Sequence, residues 1–407
     1  MKIIFTSFFL CFFFSAFSQR CGTIEYQKKH PVNPFTAQRS LSPIIESRDT
    51  SKDEVIIIPV VVHVLYNTNE QNISDAQVIS QIASLNRDYR RLNEDTINTP
   101  APFKNVAADT KIQFCLAKVD PRGQYTTGII HKFTREAQFF PDDAMKFSSK
   151  GGDDAWDATT YLNLWVCNLS GQTLGYTVLP GSPLEKDGVV IKYTAFGTIG
   201  NLSAPYIKGR TATHEIGHWL GLKHLWGDST CGDDGIADTP PQQTSNTYCP
   251  VFPHISTCSI NSYGDMFMNF MDFTDDGCMN MFTEGQKAEM RSLFALGNPR
   301  NSFLNSKVCD SSTAEGAPVP KDSISSTKIN IYPNPFNQIF NITSDGDDIS
   351  GKIIKIYSIN GKLYLTQKIL SPKTILNVSD LPSGIYILKI NGIKGQNVYK
   401  IIKADNQ

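Results

Sequence analysis

The hydrophobic pattern predicts packed structure only after the first fifty residues. Val55–Tyr66 is β-branched almost throughout, which predicts a strand buried on both faces, with Pro59 at a kink or at its start. Apolar residues then recur every three or four positions from Val78 to Leu92, behind Ser74 as an N-cap, which predicts an amphipathic helix. A strand followed by a helix predicts an α/β layer. Further strands are predicted at 111–119, 161–169 and 188–193, and further helices at 208–224 and 283–296.

The last hundred residues follow a different pattern. Residues 305–328 contain no large apolar run, which is typical of a linker. Short apolar segments then alternate with turn residues, and Asn360–Gly361 is the strongest hairpin signal among them. Seven short strands predict a small all-β sandwich. They are expected at 329–332, 339–342, 352–358, 362–366, 374–378, 384–390 and 398–403.

The N-terminal segment predicts export. A positive start is followed by the apolar run Ile3–Phe17 and by small residues up to Ser18, so residues 1–18 are predicted to be a signal peptide. A retained membrane anchor is the alternative, but the run is shorter than the ~20 residues that a span needs. Residues 19–53 are polar and punctuated by prolines, which predicts an extended pro-segment.

Composition is typical of a globular chain and argues against a nucleic-acid partner. The 407 residues carry 38 basic and 39 acidic side chains, a net charge of −1, so no basic field favours nucleic acid or anionic lipid. Nine cysteines, of which Cys11 leaves with the signal peptide, suit an oxidising exported setting in which disulfides persist.

The strongest chemical signal is an eleven-residue segment that reads H-E-x-x-H-x-x-G-x-x-H. His214 and His218 are four residues apart on a predicted helix, so they project from one face and can share a metal ion. Gly221 lets the chain leave the helix and double back, so that His224 supplies a third imidazole. Three protein ligands leave one position for water, which is the pattern of a catalytic zinc site. Glu215 lies between the first two histidines and is predicted to activate that water.

This motif resembles the signature of the metzincin metallopeptidases, and residues 55–300 are similar to the pappalysin family within that group. The resemblance rests on His214–Trp226, on the D-T-P segment at 238–240, and on Asn269–Cys278. It implies an α/β (α+β) zinc-peptidase domain with a mixed sheet, and Met271 as the methionine turn beneath the metal. The family has a tyrosine two residues after this methionine. Phe273 lacks the hydroxyl that would stabilise the reacting carbonyl, which affects the expected rate more than the reaction.

The resemblance also implies a specificity residue and a latency residue. Asp276 would lie at the base of the pocket that receives the residue after the scissile bond, and would select Arg or Lys there. A surface carboxylate is the alternative interpretation of Asp276. Cys21, within an R-C-G-T sequence, would bind zinc in the precursor and hold it latent. Lipid modification of Cys21 is the alternative, but no small-residue box precedes it.

Residues 228–280 are rich in Asp, Gly, Pro, Asn and Cys, which predicts a long irregular loop. Three carboxylates between Gly232 and Thr239 suit Ca²⁺, although a solvated acidic turn has the same composition. The resemblance implies calcium ligands at Asp234, at Thr239 and at the carbonyls of Ala237, Lys186 and Gly188.

The cysteines of this loop predict covalent closure, but three pairings are open and a Cys₄ zinc site competes with them. The resemblance implies the pairs Cys231–Cys258 and Cys249–Cys278. Cys115 and Cys167 lie in predicted strands and either pair or are small buried residues. Cys309, in the predicted linker, is expected to be free or intermolecular.

Residues 329–407 resemble the sorting domain of type IX secretion. Four segments carry this resemblance: 331–335, 356–362, 381–388 and 399–403. It implies export through the periplasm to the outer surface or the medium, with the secretion machinery as a partner. A carbohydrate-binding sandwich is the alternative, but this segment contains no tryptophan.

The expected domains are therefore a signal peptide (1–18), a pro-segment (19–53), a catalytic domain (54–304), a linker (305–328) and a sorting domain (329–407). We expect a monomeric, secreted zinc endopeptidase that is made as a latent zymogen and cleaves protein or peptide substrates before Arg or Lys. A surface adhesin with a non-catalytic zinc site is the alternative.

Overall fold

The computed structural model describes residues 20–31, 54–259, 263–315, 328–345, 349–358, 362–369, 371, 373–392 and 395–404. The predicted signal peptide, most of the predicted pro-segment and the Asn360–Gly361 hairpin signal lie outside these residues. The chain divides into two compact units between Ala317 and Pro318. No helix within the described ranges has both the length and the apolar character needed to cross a bilayer.

The first unit is built on a six-stranded mixed sheet. Its strands are β1 (Ile56–Tyr66), β2 (Ile112–Leu116), β3 (Ile129–Phe133), β4 (Leu162–Cys167), β5 (Gly175–Thr177) and β6 (Val189–Lys192). The order is β2-β1-β4-β6-β5, and β3 also pairs with β1. All pairs are parallel except β5 with β6, so β5 is an antiparallel edge strand. Strand β1 is buried along almost its whole length, as predicted, because it pairs with three neighbours.

Within the described part of this unit, four α-helices accompany the sheet: α1 (Thr23–Lys29), α2 (Asp75–Tyr89), α3 (Arg210–Trp219) and α4 (Glu284–Ser292). The 3₁₀ helices are Glu94–Asn98, Ala101–Phe103, Ala144–Lys146, Ser148–Lys150, Leu184–Lys186, Tyr193–Ala195, Asn301–Asn305 and Ser311–Thr313. Ser74 caps α2 as predicted, and Thr283 with Gln286 forms the capping box of α4. Helix α3 packs against α2, β5 and β6, which places it beside the edge of the sheet.

The two faces of the sheet bury separate apolar clusters. Leu164 and Val166 of β4 face the larger cluster, which includes Ile216 of α3. Trp165, between them in the sequence, faces a smaller cluster that includes Tyr176. This alternation is the two-residue period of a strand, and it separates the environment of α3 from that of the opposite face.

Helix α1 and the end of α3 differ from the prediction. Residues 19–53 were expected to be extended, yet Thr23–Lys29 form a helix. An isolated helix of seven residues is unstable in water, so burial of Thr23 and Tyr26 accounts for it. The helix predicted over 208–224 ends at Trp219, since Gly221 adopts a left-handed φ of +88°. Strands β3 and β5 were not predicted.

The predicted linker begins later than residue 305. Cys309 forms a disulfide with Cys115, with Cα atoms 6.1 Å apart, so the expectation of a free or intermolecular Cys309 is wrong. The carbonyl of Val308 accepts a hydrogen bond from Lys118 N at 2.6 Å. Residues 305–315 therefore belong to the first unit, and the boundary expected at 304 moves to about 317. Cys167 is a buried thiol that forms no disulfide.

The second unit consists of two antiparallel sheets. Its strands are β7 (Lys328–Tyr332), β8 (Ile339–Asp345), β9 (Ile353–Ser358), β10 (Leu363–Lys368), β11 (Lys373–Asn377), β12 (Gly384–Gly392) and β13 (Gly395–Lys403). One sheet has the order β10-β9-β12-β13 and the other β11-β8-β7. Residues of both sheets, such as Phe340 and Leu388, share one apolar cluster. This is the predicted all-β sandwich, with strands at all seven predicted places.

Candidate active site

Three imidazoles meet at one end of α3. His214 and His218 lie one turn apart on this helix, and His224 follows the turn at Gly221 that brings the chain back towards it. The three Nε2 atoms are 3.0–3.2 Å from one another, and all three side chains are buried. The spacing of the three histidines in the motif therefore brings their Nε2 atoms together at one point.

Hydrogen bonds fix the orientation of each ring. Every Nδ1 faces an oxygen acceptor, so it carries the proton and leaves Nε2 with a bare lone pair. The acceptors are, in chain order, the carbonyl of Phe270, the carbonyl of Leu222 and the carboxylate of Asp228. Burial lowers the pKa of His214 and of His218 well below the usual value, so neither ring is cationic. Three buried lone pairs that face one another fit a metal ion, and three imidazoles suit zinc.

The thiol of Cys21 completes this cluster. Its Sγ and the three imidazole nitrogens lie within 4.8 Å of one another, the one such group of three or more His, Cys, Asp or Glu among the residues described. Burial and the neighbouring Glu215 raise the pKa of this thiol. The backbone around it pairs with the edge strand β5, because Gly22 N donates to Gly175 O at 2.8 Å. The segment ahead of the catalytic domain thus lies directly on the metal site.

Glu215 is fully buried next to the imidazoles. Its Oε2 accepts a hydrogen bond from Thr23 Oγ1 at 2.8 Å and another from Cys21 Sγ at 3.5 Å. Its Oε1 has no hydrogen-bond partner among the described residues. Burial raises the pKa of Glu215 to about 7. A carboxyl with a pKa near neutrality is suited to accept a proton and to return it.

Asp276 is buried at the start of α3 and is not a surface carboxylate. Its Oδ2 accepts hydrogen bonds from the backbone N of Lys208 at 2.9 Å and of Arg210 at 3.3 Å. Its Oδ1 accepts from Arg20 Nη2 at 2.9 Å, and Arg20 also donates to the carbonyl of Thr274. The residue just before Cys21 therefore forms a buried ion pair with Asp276. A role for Arg20 at the site was not predicted from the sequence. Its position next to Cys21 in the sequence was the one indication that it would lie there.

Met271 lies directly beneath α3. A Cβ on Gly217 would come within 2.5 Å of Met271 Sδ, so the glycine lets the methionine lie close against this face of the helix. The turn is held by Asn269, whose Oδ1 accepts from Met271 N at 2.9 Å. This places Met271 where the resemblance put it, under the histidines.

The ring of Phe273 forms one wall of the metal site. Its centroid lies 4.8 Å from that of His224, 5.6 Å from that of His214 and 5.0 Å from that of Trp226. The ring packs edge-on against His224 and offers no hydrogen-bond donor to a substrate carbonyl. Phe273 is therefore an aromatic spacer at this position.

Two disulfides close the irregular loop. Cys231 pairs with Cys258 and Cys249 pairs with Cys278, with Cα–Cα distances of 5.5 and 5.6 Å, which are the pairs that the resemblance implied. Because Cys278 is two residues after Asp276, the second bridge anchors the chain close to this carboxylate.

The expected calcium ligands lie in different hydrogen-bonding environments. Thr239 Oγ1 donates to Asp234 Oδ1 at 2.8 Å, and the buried Asp234 Oδ2 has no partner among the described residues. Asp238 instead caps α4, where it accepts from Thr283 and Gly285. Ala237, whose carbonyl was also implied, is exposed in the same loop.

The other two expected calcium ligands have protein donors. The carbonyl of Lys186 accepts from Lys146 Nζ at 2.8 Å, and that of Gly188 accepts from Thr177 Oγ1 at 3.0 Å. A calcium ion at Lys186 would lie beside a buried ammonium group, which disfavours this carbonyl as a ligand.

Comparison with known proteins identifies the class. A family model described as Pregnancy-associated plasma protein-A matches residues 147–295, which include the three histidines and Met271. The extracellular metalloprotease of Verticillium alfalfae is 30% identical over 288 residues, which cover 67% of this chain and 88% of the relative. The chain therefore belongs to the pappalysin family of metallopeptidases, and it is a zinc metalloendopeptidase.

Two solved structures from Tannerella forsythia share its fold. Mature mirolysin in complex with a cleaved peptide is 49% identical, with a TM-score of 0.62, and covers 64% of this chain and 99% of its own. A promirolysin mutant is 46% identical, with a TM-score of 0.65, and covers 70% of this chain and 97% of its own. A second family model, described as a secretion system C-terminal sorting domain, matches residues 330–404. The protein is accordingly secreted or displayed on the cell surface.

Proposed function

We propose that this protein is a secreted endopeptidase that cleaves before Arg or Lys and is made as a latent zymogen. The observation that carries the proposal is the position of the dipeptide Arg20–Cys21. Cys21 lies at the three imidazoles while Arg20 forms an ion pair with Asp276. A basic side chain thus already occupies the pocket to which we assign basic selectivity.

The reaction follows from the groups around the site. His214, His218 and His224 would hold the zinc ion, which would supply Lewis-acid polarisation of the scissile carbonyl and of a water molecule. The buried carboxyl of Glu215 takes the proton of the attacking water and returns it to the leaving amine. The carbonyls of Phe270 and Leu222 keep Nδ1 protonated on His214 and His218, and so hold Nε2 available as the ligand atom.

Substrate orientation follows from the edge strand and from Asp276. The free edge of β5 pairs with the backbone of the latent segment, and a peptide substrate would use the same edge after that segment is removed. The carboxylate of Asp276 then binds the guanidinium or ammonium group of the residue after the scissile bond. Backbone N–H groups at the start of α3 hold this carboxylate in place.

Latency follows because one segment occupies three parts of the machinery. Cys21 would supply a fourth ligand to the metal, Thr23 binds the Glu215 carboxylate, and Arg20 forms an ion pair with Asp276. Activation requires this segment to leave. Cleavage before Arg39, Arg48 or Lys52 would release it without loss of core, and the specificity of the enzyme itself matches these sites.

We also propose a structural calcium ion at the loop that contains Asp234 and Thr239. Support comes from the buried Asp234 Oδ2, which lacks a partner among the described residues, and from the neighbouring oxygen of Thr239 and the carbonyl of Ala237. The ion would anchor the irregular loop beside the catalytic helix.

The experiment that tests the catalytic role is a comparison of wild type with Glu215→Ala, both freed of residues 19–53 and matched for zinc content. We expect peptide hydrolysis by the wild type and a loss of several orders of magnitude in the variant. Equal inactivity of the two zinc-loaded proteins would contradict the proposal.

A further inference from the structure

A second cluster of charged and aromatic groups surrounds Tyr26 of the latent segment. This side chain is 5% exposed, and its ring centroid lies 5.1 Å from that of Tyr176. Its hydroxyl donates to Asp143 Oδ2, and Lys146 Nζ lies 5.8 Å from its ring centroid. The phenol therefore has a partner for its hydroxyl, a partner for its ring face and a nearby cation.

The walls of this cluster all belong to the catalytic domain. Asp143 Oδ1 accepts from Lys146 Nζ at 2.9 Å and from Tyr176 Oη at 3.1 Å, and Lys186 Nζ is 3.6 Å from Asp143 Oδ2. The Lys146 ammonium also lies 5.4 Å from the ring centroid of Trp165. Burying these charges costs free energy that apolar residues of similar volume would not. The cluster is thus a buried site of hydrogen-bonded and charged groups, and not part of an apolar core.

The cluster and the Asp276 pocket lie on opposite sides of the metal site. The latent segment runs parallel to β5, with Cys21 bridged to Gly175. On one side Arg20 O accepts from Leu174 N at 3.0 Å, and on the other Thr23 Oγ1 accepts from Thr177 N at 3.0 Å. Arg20, just before Cys21, reaches Asp276, and Tyr26, three residues after Thr23, reaches the cluster.

The distance from Cys21 to Tyr26 indicates which substrate residue would reach the cluster. Gly22 already has helical backbone angles (φ −94°, ψ 0°), so from Cys21 to Tyr26 the segment makes one extended step and four helical steps, which span about 9 Å at ~3.3 and ~1.5 Å per residue. An extended substrate covers that length with about three residues. If the Asp276 pocket receives the substrate residue after the scissile bond, this cluster receives the substrate residue about three positions before that bond.

We propose that, once the latent segment leaves, this cluster is a substrate subsite that takes a tyrosine side chain about three residues before the scissile bond. This inference rests on the proposed endopeptidase function. Departure of Tyr26 leaves a space with the dimensions of a phenol and removes a donor from Asp143. A substrate tyrosine would restore the hydrogen bond and the ring contacts with Tyr176 and Lys146.

The charges of the cluster exclude the competing side chains. Asp143 is already faced by the ammonium groups of Lys146 and Lys186, so a third cation from substrate Arg or Lys meets net positive charge. A phenylalanine fills the same space but leaves Asp143 without the donor. The cluster therefore selects a substrate tyrosine, which is a neutral aromatic side chain with a hydrogen-bond donor. Asp276, in contrast, selects a positively charged side chain.

The test is a set of peptides that differ at one position. Each carries Arg after the scissile bond and alanine elsewhere, with Tyr, Phe, Ala or Arg placed two, three or four residues before that bond. With activated wild type we expect kcat/KM for the best-placed Tyr peptide to exceed that of the Ala peptide by about tenfold or more, with Phe between them and Arg no better than Ala.

The outcomes separate the two proposals. Absence of cleavage before Arg in every peptide would overturn the endopeptidase specificity. Cleavage of the Ala peptide with no advantage for Tyr at any of the three positions would overturn the subsite alone. Asp143→Asn should lower the Tyr-to-Phe ratio towards one, whereas the exposed neighbour Asp142, changed to Asn, should leave the ratio as in wild type. An unchanged ratio in folded Asp143→Asn would also overturn the subsite, and if that variant fails to fold the wild-type peptide set decides alone.

Discussion

Arg20 Nη2 donates to Asp276 Oδ1 at 2.9 Å, and both side chains are about 1% exposed. A buried ion pair that loses one partner leaves an uncompensated charge, at a typical cost of ~3–5 kcal/mol. Because Cys21 is the next residue, this pair also fixes the thiol over the imidazoles. Under the proposed function, this one carboxylate would hold the latent segment in the precursor and would select basic residues in the mature enzyme.

The first prediction concerns maturation. Cys21→Ala should leave the fold intact and give a precursor that matures faster than wild type and is partly active before cleavage, because the fourth metal position is open. The measurement is the time course of precursor disappearance for the purified proteins. Cys167→Ala is the matched control, since it removes the other buried thiol, and it should mature at the wild-type rate.

Two results would revise this account of activation. Identical maturation of wild type and Cys21→Ala would remove the cysteine switch. Normal maturation of purified Glu215→Ala would show that another protease cuts the segment, so that self-processing before Arg39, Arg48 or Lys52 is wrong.

The second prediction concerns the missing hydroxyl at Phe273. Phe273→Tyr should raise kcat, by up to about 10²-fold, because one donor to the developing oxyanion commonly contributes ~10²–10³. The value of KM should change little, since the donor acts mainly in the transition state. Steady-state kinetics on one Arg-containing peptide measure both parameters. An unchanged or lower kcat in a folded, zinc-loaded variant would show that a hydroxyl at position 273 does not stabilise the developing oxyanion in this protein.

The third prediction couples calcium to pH. Burial raises the pKa of Asp234 to about 6, from near 4 in an unfolded chain. The folded protein therefore holds the proton more tightly, and without calcium its stability falls as pH rises from about 4 to about 6. Calcium displaces that proton, so added calcium should raise Tm clearly at pH 7.5 and little at pH 5.

The control for this experiment is the exposed neighbour Asp233. Asp234→Asn should abolish the calcium-dependent rise in Tm at pH 7.5, while Asp233→Asn should retain most of it. An equal rise at both pH values, or an undiminished rise in Asp234→Asn, would place the calcium elsewhere.

The fourth prediction concerns the disulfide between Cys115 and Cys309, which are 194 residues apart. Cys309→Ser should lower the free energy of unfolding by ~3–5 kcal/mol, because the bridge closes a long loop in the unfolded chain. Guanidinium denaturation of the catalytic unit without reductant measures the loss. Cys115→Ser should cost the same, and the double variant should cost no more than either single variant. A clearly additive double variant would show that the two residues do not form this bond.

The features predicted correctly from the sequence are those that depend on the spacing of residues within a short segment. His214, Glu215 and His218 lie on one helical turn, so their convergence follows from helix geometry. The continuous run of β-branched residues at Val55–Tyr66 similarly predicted a central strand buried on both faces. The all-β architecture of residues 329–403 followed from short runs and turn residues. In each case the contacts that matter are between neighbours in the sequence or within one motif.

Long-range contacts account for what sequence reasoning missed. Cys309 meets Cys115 across 194 residues, and no local pattern distinguishes that partner from Cys167. Helix α1 forms because Tyr26 is buried against Tyr176, which overrides a polar sequence that predicts extended chain. The ion pair of Arg20 with Asp276 joins residues 256 positions apart and became visible only in the fold.

The central claim is a Glu215-dependent peptidase that selects basic residues through Asp276. Mass spectrometry of a peptide library cut by the activated protein tests it most directly. We predict cuts before Arg or Lys by wild type and by the control Asp275→Asn, and none by Glu215→Ala. Asp276→Asn keeps an acceptor for the backbone N–H groups but loses the charge. It should cut before Arg about 10- to 100-fold less efficiently, since a hydrogen bond to a charged group contributes ~1.5–3 kcal/mol. Cleavage by Glu215→Ala, or cleavage by wild type at apolar residues without regard to Arg or Lys, would contradict the account.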